Sequence, residues 1–245
     1  MPNVGLQLWT IREECDRDLE GALRRVGEQG YDGVELFQLH GRSALDLRAL
    51  LDDAGLAVAG RHAGLEAIEE ELPQLAAELE ALGTDRMAIS WIDPSELEEP
   101  EAAVDRVARA AERAQASGLR LGFHNHWSEV PALAGGASFL ELLRALPADL
   151  LWLELDLGWV WHGGGDPLRE LEATRGRCPL VHVKDYASRE DRDDVPVGSG
   201  VVGYEQVLPA AVAAGAEWLI VEEDEVGADA FGAVEQSLRF VRETI

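Results

Sequence analysis

Titratable side chains follow several short apolar runs in the second half of the chain. Imidazole and carboxylate donors together suit divalent cations, and a set that leaves coordination positions open can also bind substrate oxygens. If the runs are neighbouring strands, their ends predict a divalent-metal site for a small oxygen-rich molecule. The residues are His124 and His126 in FHNHWSE, Asp156 in LELDLGW, His182 in VHVKDY, and Glu222 in IVEED.

Alternation along a strand leaves a choice within each of these runs. Residues two apart on a β-strand point to the same face, so strand periodicity alone does not decide which of two neighbouring polar residues is the ligand. Both members of each pair therefore stay open. The pairs are His124 with His126, Glu154 with Asp156, His182 with Lys184, and Glu222 with Asp224.

The elements that must position these side chains are eight β-strands that alternate with helical segments. This pattern is typical of βα units in a parallel sheet. A chain of 245 residues has the usual size for such a barrel, so we expect a single-domain (β/α)8 TIM barrel over residues 1–245, with its active site in the loops that follow the strands. The candidate strands are VGLQLW from Val4, GVELF from Gly33, LAVAG from Leu56, RMAIS from Arg86, LRLGF from Leu119, LLWLEL from Leu150, LVHV from Leu180 and EWLIV from Glu217.

Seven segments resemble, in order and spacing, the pattern of the xylose isomerase-like sugar phosphate isomerase/epimerase family. The resemblance runs almost from end to end of the chain. It is specific for the superfamily and does not identify a substrate. The segments are QLWTIRE, GYDGVELF, FHNHWSEV, LELDLGWVWHGGGDP, PLVHVKD, VGSGVVGYEQVL and EWLIVEED.

This resemblance implies a site that holds Mn²⁺, Mg²⁺, Co²⁺ or Zn²⁺. The family's ligands from strands six, seven and eight match Asp156, His182 and Glu222. His124 stands where the family's strand-five glutamate would be, as in the HNH-bearing branch, and is therefore preferred to His126 as the fourth ligand.

The histidine on strand five leaves several reactions open. In the two-carboxylate epimerases, glutamates from strands five and eight exchange protons on opposite faces of the sugar, whereas this chain keeps only Glu222. His126 could supply the second proton-transfer group, because histidine moves protons near neutral pH. The resemblance implies a sugar or keto-polyol isomerase or epimerase that works through an enediolate. The alternatives are an inosose-type dehydratase and a sugar-binding barrel without catalysis.

Lys184 is the only lysine in the chain, since every other basic residue is an arginine. Retention of one compact ammonium predicts a role in the site, such as steadying an enolate oxygen. An ordinary ion pair with Asp156 or Asp185 is the alternative.

Four further residues complete the predicted site. Glu35 lies at the end of the second strand and is interpreted as catalytic, or as an anchor for the backbone or Arg61. His62 follows the third strand and either contacts substrate or caps the next helix. Trp9 and Trp159 are candidates for stacking on a sugar ring, with packing in the core as the alternative.

The acidic composition of the chain limits the classes of molecule that the protein is expected to bind. The chain has 47 acidic and 21 basic residues and a net charge of −26, which repels phosphate backbones and anionic membranes. We therefore expect a small sugar or polyol as partner, and neither nucleic acid, as an AP endonuclease-type barrel would require, nor a membrane. No apolar run approaches the roughly 20 residues of a membrane-spanning helix, so a cytoplasmic location is predicted, and a homo-oligomer stays open. Cys15 and Cys178 form no CxxC pair and are predicted to be buried thiols.

Overall fold

A closed barrel of eight parallel β-strands forms the centre of the protein. The computed structural model describes residues 1–189 and 192–245. Each barrel strand pairs with its neighbours along the chain, and the first pairs with the last, which confirms the predicted (β/α)8 TIM barrel. The strands are β1 (Asn3–Gln7), β2 (Gly33–Leu36), β3 (Ala57–Ala63), β4 (Arg86–Ile89), β5 (Arg120–His124), β6 (Trp152–Asp156), β7 (Leu180–Val183) and β8 (Trp218–Val221).

Helices surround the barrel and bury one apolar face each. In the fourth helix the buried side chains include Val107, Ala110, Ala111 and Ala114, the spacing of one helical stripe. In the described ranges no helix is both long and apolar enough to cross a membrane. The helices are α1 (Arg12–Gln29), α2 (Ala44–Asp53), α3 (Leu65–Leu82), α4 (Pro100–Ala116), α5 (Phe139–Arg144), α6 (Leu157–His162), α7 (Pro167–Ala173), α8 (Tyr204–Ala214) and α9 (Ala230–Thr244).

Two strand ends differ from the sequence prediction. β3 continues to Ala63, so His62 lies inside the strand and points into the barrel instead of standing at the start of a loop. β1 ends at Gln7, and Trp9 lies in a 3-10 helix over Leu8–Ile11. Both cysteines are buried free thiols, as predicted.

Two tryptophans close the N-terminal end of the barrel interior. Trp152 of β6 and Trp218 of β8 belong to a separate buried apolar cluster. Glycines make room for the indole rings: a Cβ at Gly122 would lie 2.4 Å from the Trp152 ring, and one at Gly33 would lie 2.8 Å from the Trp218 ring. The remaining members of this apolar plug are Ala59, Ala88, Leu180 and Ile220.

Polar layers lie above the apolar plug. Because every second residue of a barrel strand points inward, Glu154 and Asp156 occupy two successive layers of β6 above Trp152. On β7 and just beyond it, His182 and Lys184 follow Leu180 in the same way. Both members of these pairs therefore face the interior, at different depths.

Candidate active site

Four side chains from consecutive strands meet at the C-terminal mouth of the barrel. His124, Asp156, His182 and Glu222 each offer a ligand atom, and these atoms all lie within 4.8 Å of one another. None of the four residues is more than 5 % exposed. The backbone register places Asp156 of β6 beside His182 of β7. The structure thus brings together the four predicted ligands, while metal binding itself stays a prediction.

Asp156 is fixed by the start of α6. Its Oδ1 accepts a hydrogen bond of 2.7 Å from the backbone N–H of Trp159, and its own N–H donates to Oδ1 of Asn125 at 3.1 Å. Burial raises the pKa of Asp156 to about 6. Its second oxygen, Oδ2, faces Lys184 Nζ at 3.3 Å and is left for a further partner.

His182 links two carboxylates. Its Nδ1 lies 2.9 Å from Oε2 of Glu222, and its Nε2 lies 2.7 Å from Oε2 of Glu35. Burial lowers the pKa of His182, but Glu154, Glu35 and Glu222 outweigh burial and hold that pKa well above its ordinary value. A carboxylate behind a ligating histidine fixes the orientation and tautomer of the ring. Glu35 is placed to do this for His182.

Glu35 lies under the mouth of the barrel and is fully buried. Its Oε2 also accepts a hydrogen bond of 2.9 Å from Nε2 of Gln7. The suggested anchoring of Arg61 by Glu35 is wrong, because Arg61 points away from the interior and pairs with Glu78 on α3.

The Lys184 ammonium sits among three carboxylates. Nζ lies 2.5 Å from Oδ2 of Asp224, 3.1 Å from Oε2 of Glu222 and 3.3 Å from Oδ2 of Asp156. Burial lowers the pKa of Lys184, but these carboxylates raise it well above its ordinary value. Asp224 is a site residue that the sequence prediction leaves without a role. Its position two residues after Glu222, on the same face of an extended strand, is the signal that could have identified it.

The suggested pair between Lys184 and Asp185 does not form. The Asp185 carboxylate instead accepts hydrogen bonds of 3.0 to 3.1 Å from backbone N–H groups of the loop after β7. Its donors are Tyr186, Gly198, Gly200 and Val202.

A cavity of about 490 Å³ at the mouth of the barrel is lined by two of the four predicted ligands, His124 and Glu222. This volume is in the range of small-molecule sites. Trp9 and Trp91 form part of its wall and are 39 % and 42 % exposed, so both are available to a ligand. Trp159 is only 5 % exposed and instead lies against Lys184, whose Nζ is 4.6 Å from the ring centre. The lining residues are Trp9, Phe37, His62, Ala63, Gly64, Ser90, Trp91, His124, His126, Glu222 and Asp224.

His126 lies on the cavity wall, just beyond the end of β5. It begins the 3-10 helix Trp127–Glu129, and its ring stands edge-on to Trp91 with centres 4.9 Å apart. Burial lowers the pKa of His126 to about 3, so the imidazole is neutral at neutral pH. Within the described chain its buried Nδ1 has no hydrogen-bond partner.

The donor set at the mouth fits a divalent metal. Two nitrogen and two carboxylate donors match Zn²⁺, Mn²⁺ or Co²⁺. Nδ1 of His124 is buried and forms no hydrogen bond with any residue that the structure describes, and Oδ2 of Asp156 is buried with only its 3.3 Å ion-pair contact to Lys184 Nζ. Buried polar atoms are normally paired, so these atoms are consistent with ligands prepared for a cation.

The closed parallel barrel and its strand-end donors define a TIM-barrel protein with a candidate metal site at the C-terminal mouth. Residues 23–244 match the model of the xylose isomerase-like TIM barrel family, and the chain belongs to that family. This membership confirms the family resemblance. The finer assignment to an HNH-bearing branch stays a prediction.

Several known proteins are similar to this chain. An inosose dehydratase of Geobacillus kaustophilus is 28 % identical over 189 residues, a match that spans 66 % of this chain and only 60 % of that protein. A sugar phosphate isomerase/epimerase of Parabacteroides distasonis superimposes with a TM-score of 0.81 at 23 % identity, covering 98 % of this chain and 93 % of the other. An L-ribulose 3-epimerase gives a TM-score of 0.76 at 18 % identity, covering 100 % and 94 %. At these identities the structural matches support the shared fold.

Proposed function

We propose that the protein is a divalent-metal-dependent isomerase or epimerase of a small sugar or keto-polyol, acting through an enediolate. The observation that carries this proposal is the convergence of His124, Asp156, His182 and Glu222 within 4.8 Å, next to a cavity of about 490 Å³. Titratable groups are costly inside a barrel, so their concentration at the mouth favours a chemical role.

A cation held by these four residues would polarise a substrate carbonyl and its neighbouring hydroxyl as a Lewis acid. Glu222 and His126, both on the cavity wall, are the proposed proton-transfer groups. Although burial raises the pKa of Glu222, Lys184 and His182 hold it well below its ordinary value, so the carboxylate is ionised. His126, whose imidazole is neutral, is the second proton-transfer group that we propose.

Lys184 lies behind the cavity wall, and we propose that it acts on the reaction through its charge. Its ammonium is buried and contacts Glu222 and Asp224 rather than the cavity. We assign it an electrostatic role, because a fixed positive charge in a dry site stabilises negative charge that develops on the neighbouring substrate. His62 and Trp9, both on the cavity wall, are proposed substrate contacts.

A dehydratase is the second candidate, favoured by the sequence similarity to an inosose dehydratase. Removal of a proton beside a carbonyl followed by loss of a hydroxyl needs one base and one acid. A single ionised Glu222 with one further proton-transfer group supplies that minimum without the strand-five glutamate of the epimerases.

Incubation of the Mn²⁺-loaded protein with ketoses and inososes in D₂O, followed by proton NMR, tests the proposal. An isomerase or epimerase incorporates solvent deuterium and yields an isomeric product, whereas a dehydratase yields a product that has lost water. Glu222→Gln is expected to reduce turnover by roughly 100-fold or more, because it removes a proton acceptor and a ligand.

Glu223→Gln is the matched control. Glu223 is the next residue, is also buried, and hydrogen-bonds to Ser237 of α9 at 3.2 Å, outside the barrel interior. We expect its turnover to stay near that of the unmodified protein. Bound metal with neither exchange nor product across the panel would overturn the enzymatic proposal and support a sugar-binding barrel.

A further inference from the structure

The middle residue of the HNH segment has no role in the proposed function. Asn125 lies between His124 and His126, and it is fully buried. A side-chain amide carries one acceptor oxygen and two N–H donors, and buried polar groups of this kind normally have partners. The partners of Asn125 therefore indicate what the residue does.

The end of the ladder between β5 and β6 explains where these partners come from. The two strands pair as far as His124, which lies opposite Glu154. β6 continues for two more residues to Asp156, whereas the chain after β5 leads into the 3-10 helix Trp127–Glu129. Asp156 still pairs with His182 of β7 on its other side. On the side of β5, its backbone needs another partner.

The amide group of Asn125 takes the place of the missing strand. Its Oδ1 accepts a hydrogen bond of 3.1 Å from the backbone N–H of Asp156, and its Nδ2 donates one of 3.3 Å to the backbone C=O of the same residue. Only one orientation of the amide fits, because the N–H requires an acceptor and the C=O requires a donor. Asn125 thus supplies both of the groups that a neighbouring strand would present.

The same amide group also holds the segment that follows β5. Nδ2 of Asn125 donates a longer hydrogen bond of 3.4 Å to the backbone C=O of His126. The N–H of His126 in turn donates to Oε2 of the buried Glu129 at 2.9 Å. One side chain therefore connects the end of β6 to the turn that carries His126.

These bonds decide the direction of the Asp156 carboxylate. Its Oδ1 is already held by the N–H of Trp159 at 2.7 Å, at the start of α6. With the backbone fixed by Asn125 on one side and Oδ1 fixed by α6 on the other, Oδ2 is left to face Lys184 and the centre of the mouth. Partners that lie behind metal ligands orient those ligands in this way.

We infer that Asn125 is a positioning residue, which fixes the Asp156 carboxylate at the mouth of the barrel and sets its place relative to His124. Asn125 acts through Asp156, since it is not among the described residues that line the cavity. The inference deepens the proposed function, and its consequence for metal binding rests on that function.

Asn125→Leu tests the inference, because leucine is similar in size but forms no hydrogen bond. The chelator-treated variant is titrated with Co²⁺ at a temperature at which circular dichroism shows that it is folded. We expect its affinity for Co²⁺ to fall by roughly 10- to 100-fold, the usual effect of removing a partner behind a metal ligand. In the metal-free variant, hydrogen–deuterium exchange at the backbone amides of Asp156 and Trp159 should become faster.

Ser128→Ala is the matched control. Ser128 lies in the 3-10 helix after β5, and its buried Oγ has no hydrogen-bond partner in the described chain. We expect this variant to keep the Co²⁺ affinity and the exchange rates of the unmodified protein. Unchanged Co²⁺ affinity in Asn125→Leu, with only a lower thermal midpoint, would overturn the inference, because it would show a role in stability alone.

Two further measurements keep the inference open to refutation. If Asn125→Leu does not fold, exchange of the Asn125 side-chain amide in the unmodified protein decides: slow exchange supports the inference, and the rate of an exposed amide overturns it. If the unmodified protein binds no Co²⁺, the proposed metal-dependent function is overturned. Exchange at Asp156 in the metal-free variant then decides the positioning role alone, and an unchanged rate would overturn it.

Discussion

Lys184 shows how one side chain sets the charge state of its surroundings. Its three carboxylate partners come from the ends of β6 and β8, and the shortest contact is to Asp224. An ammonium is a compact charge that can lie within reach of several carboxylates at once, whereas the planar guanidinium of arginine requires more space and a fork-shaped partner. This gives a physical reason for a single lysine among arginines.

Lys184→Met is expected to destabilise the protein by about 3–5 kcal/mol, the usual cost of leaving buried carboxylates without their cation. It should also lower turnover by roughly 100-fold or more, since a fixed charge beside the reacting groups is lost. Urea unfolding and initial rates measure the two effects. Adding Asp224→Asn should recover part of the lost stability, because it removes the carboxylate nearest to Nζ. Equal unfolding midpoints for Lys184→Met and the unmodified protein would contradict the role of this ion network.

At the scale of elements, the loop after β7 is organised by a single carboxylate. Asp185 is 1 % exposed and accepts four backbone N–H groups, three of them from residues 198–202. A Cβ at Gly200 would lie 2.3 Å from Oδ1 of Asp185, so the loop closes tightly around the side chain. Because the loop follows Lys184 directly, its conformation also positions the ammonium.

Asp185→Ala leaves these four donors without their acceptor, and each buried donor left unpaired costs about 1–3 kcal/mol. We expect a lower thermal midpoint and faster hydrogen–deuterium exchange at Gly198, Gly200 and Val202. Asp185→Asn keeps one acceptor oxygen, so its thermal midpoint and exchange rates should fall between those of the unmodified protein and those of Asp185→Ala. Asp193→Ala, an exposed aspartate of the same loop, is the control and should leave exchange unchanged. Unaltered protection in Asp185→Ala would show that other contacts hold the loop.

Strand order and the convergence of the four candidate ligands could be predicted from the sequence because both depend on local patterns. Apolar runs with polar ends indicate the strands, and Asp156 and Glu222 stand at such ends. Depth inside the barrel could not be predicted, since period-two alternation is identical for Glu154 and Asp156. The layer of each depends on register across neighbouring strands, which pairs His124 with Glu154 and Asp156 with His182.

At the scale of the whole molecule, acidic residues outnumber basic ones strongly, so repulsion between carboxylates exceeds attraction between opposite charges. The net charge is −26 on 245 residues. Opposite charges do attract each other locally. The Arg106 guanidinium, for example, lies 2.7 Å from the Glu69 carboxylate and 2.8 Å from the Glu96 carboxylate. Ion pairs at a protein surface typically contribute about 0–1 kcal/mol each. The formal excess of 26 acidic over basic residues leaves too few basic side chains to pair with every carboxylate, so the balance of electrostatics opposes the compact state.

Salt should therefore stabilise the protein. Raising KCl from about 0.01 M to about 0.15 M shortens the Debye length from roughly 30 Å to roughly 8 Å, which screens repulsion between distant carboxylates more than it weakens contacting pairs. We expect the thermal midpoint to rise by several degrees, measured by differential scanning calorimetry with a chelator present so that divalent binding does not contribute. Sucrose at matched osmolarity is the control, and it should give a smaller rise because it carries no charge. If KCl lowered the midpoint instead, the specific ion pairs would outweigh the net charge, and the acidic surface would contribute to stability through organised networks rather than oppose it.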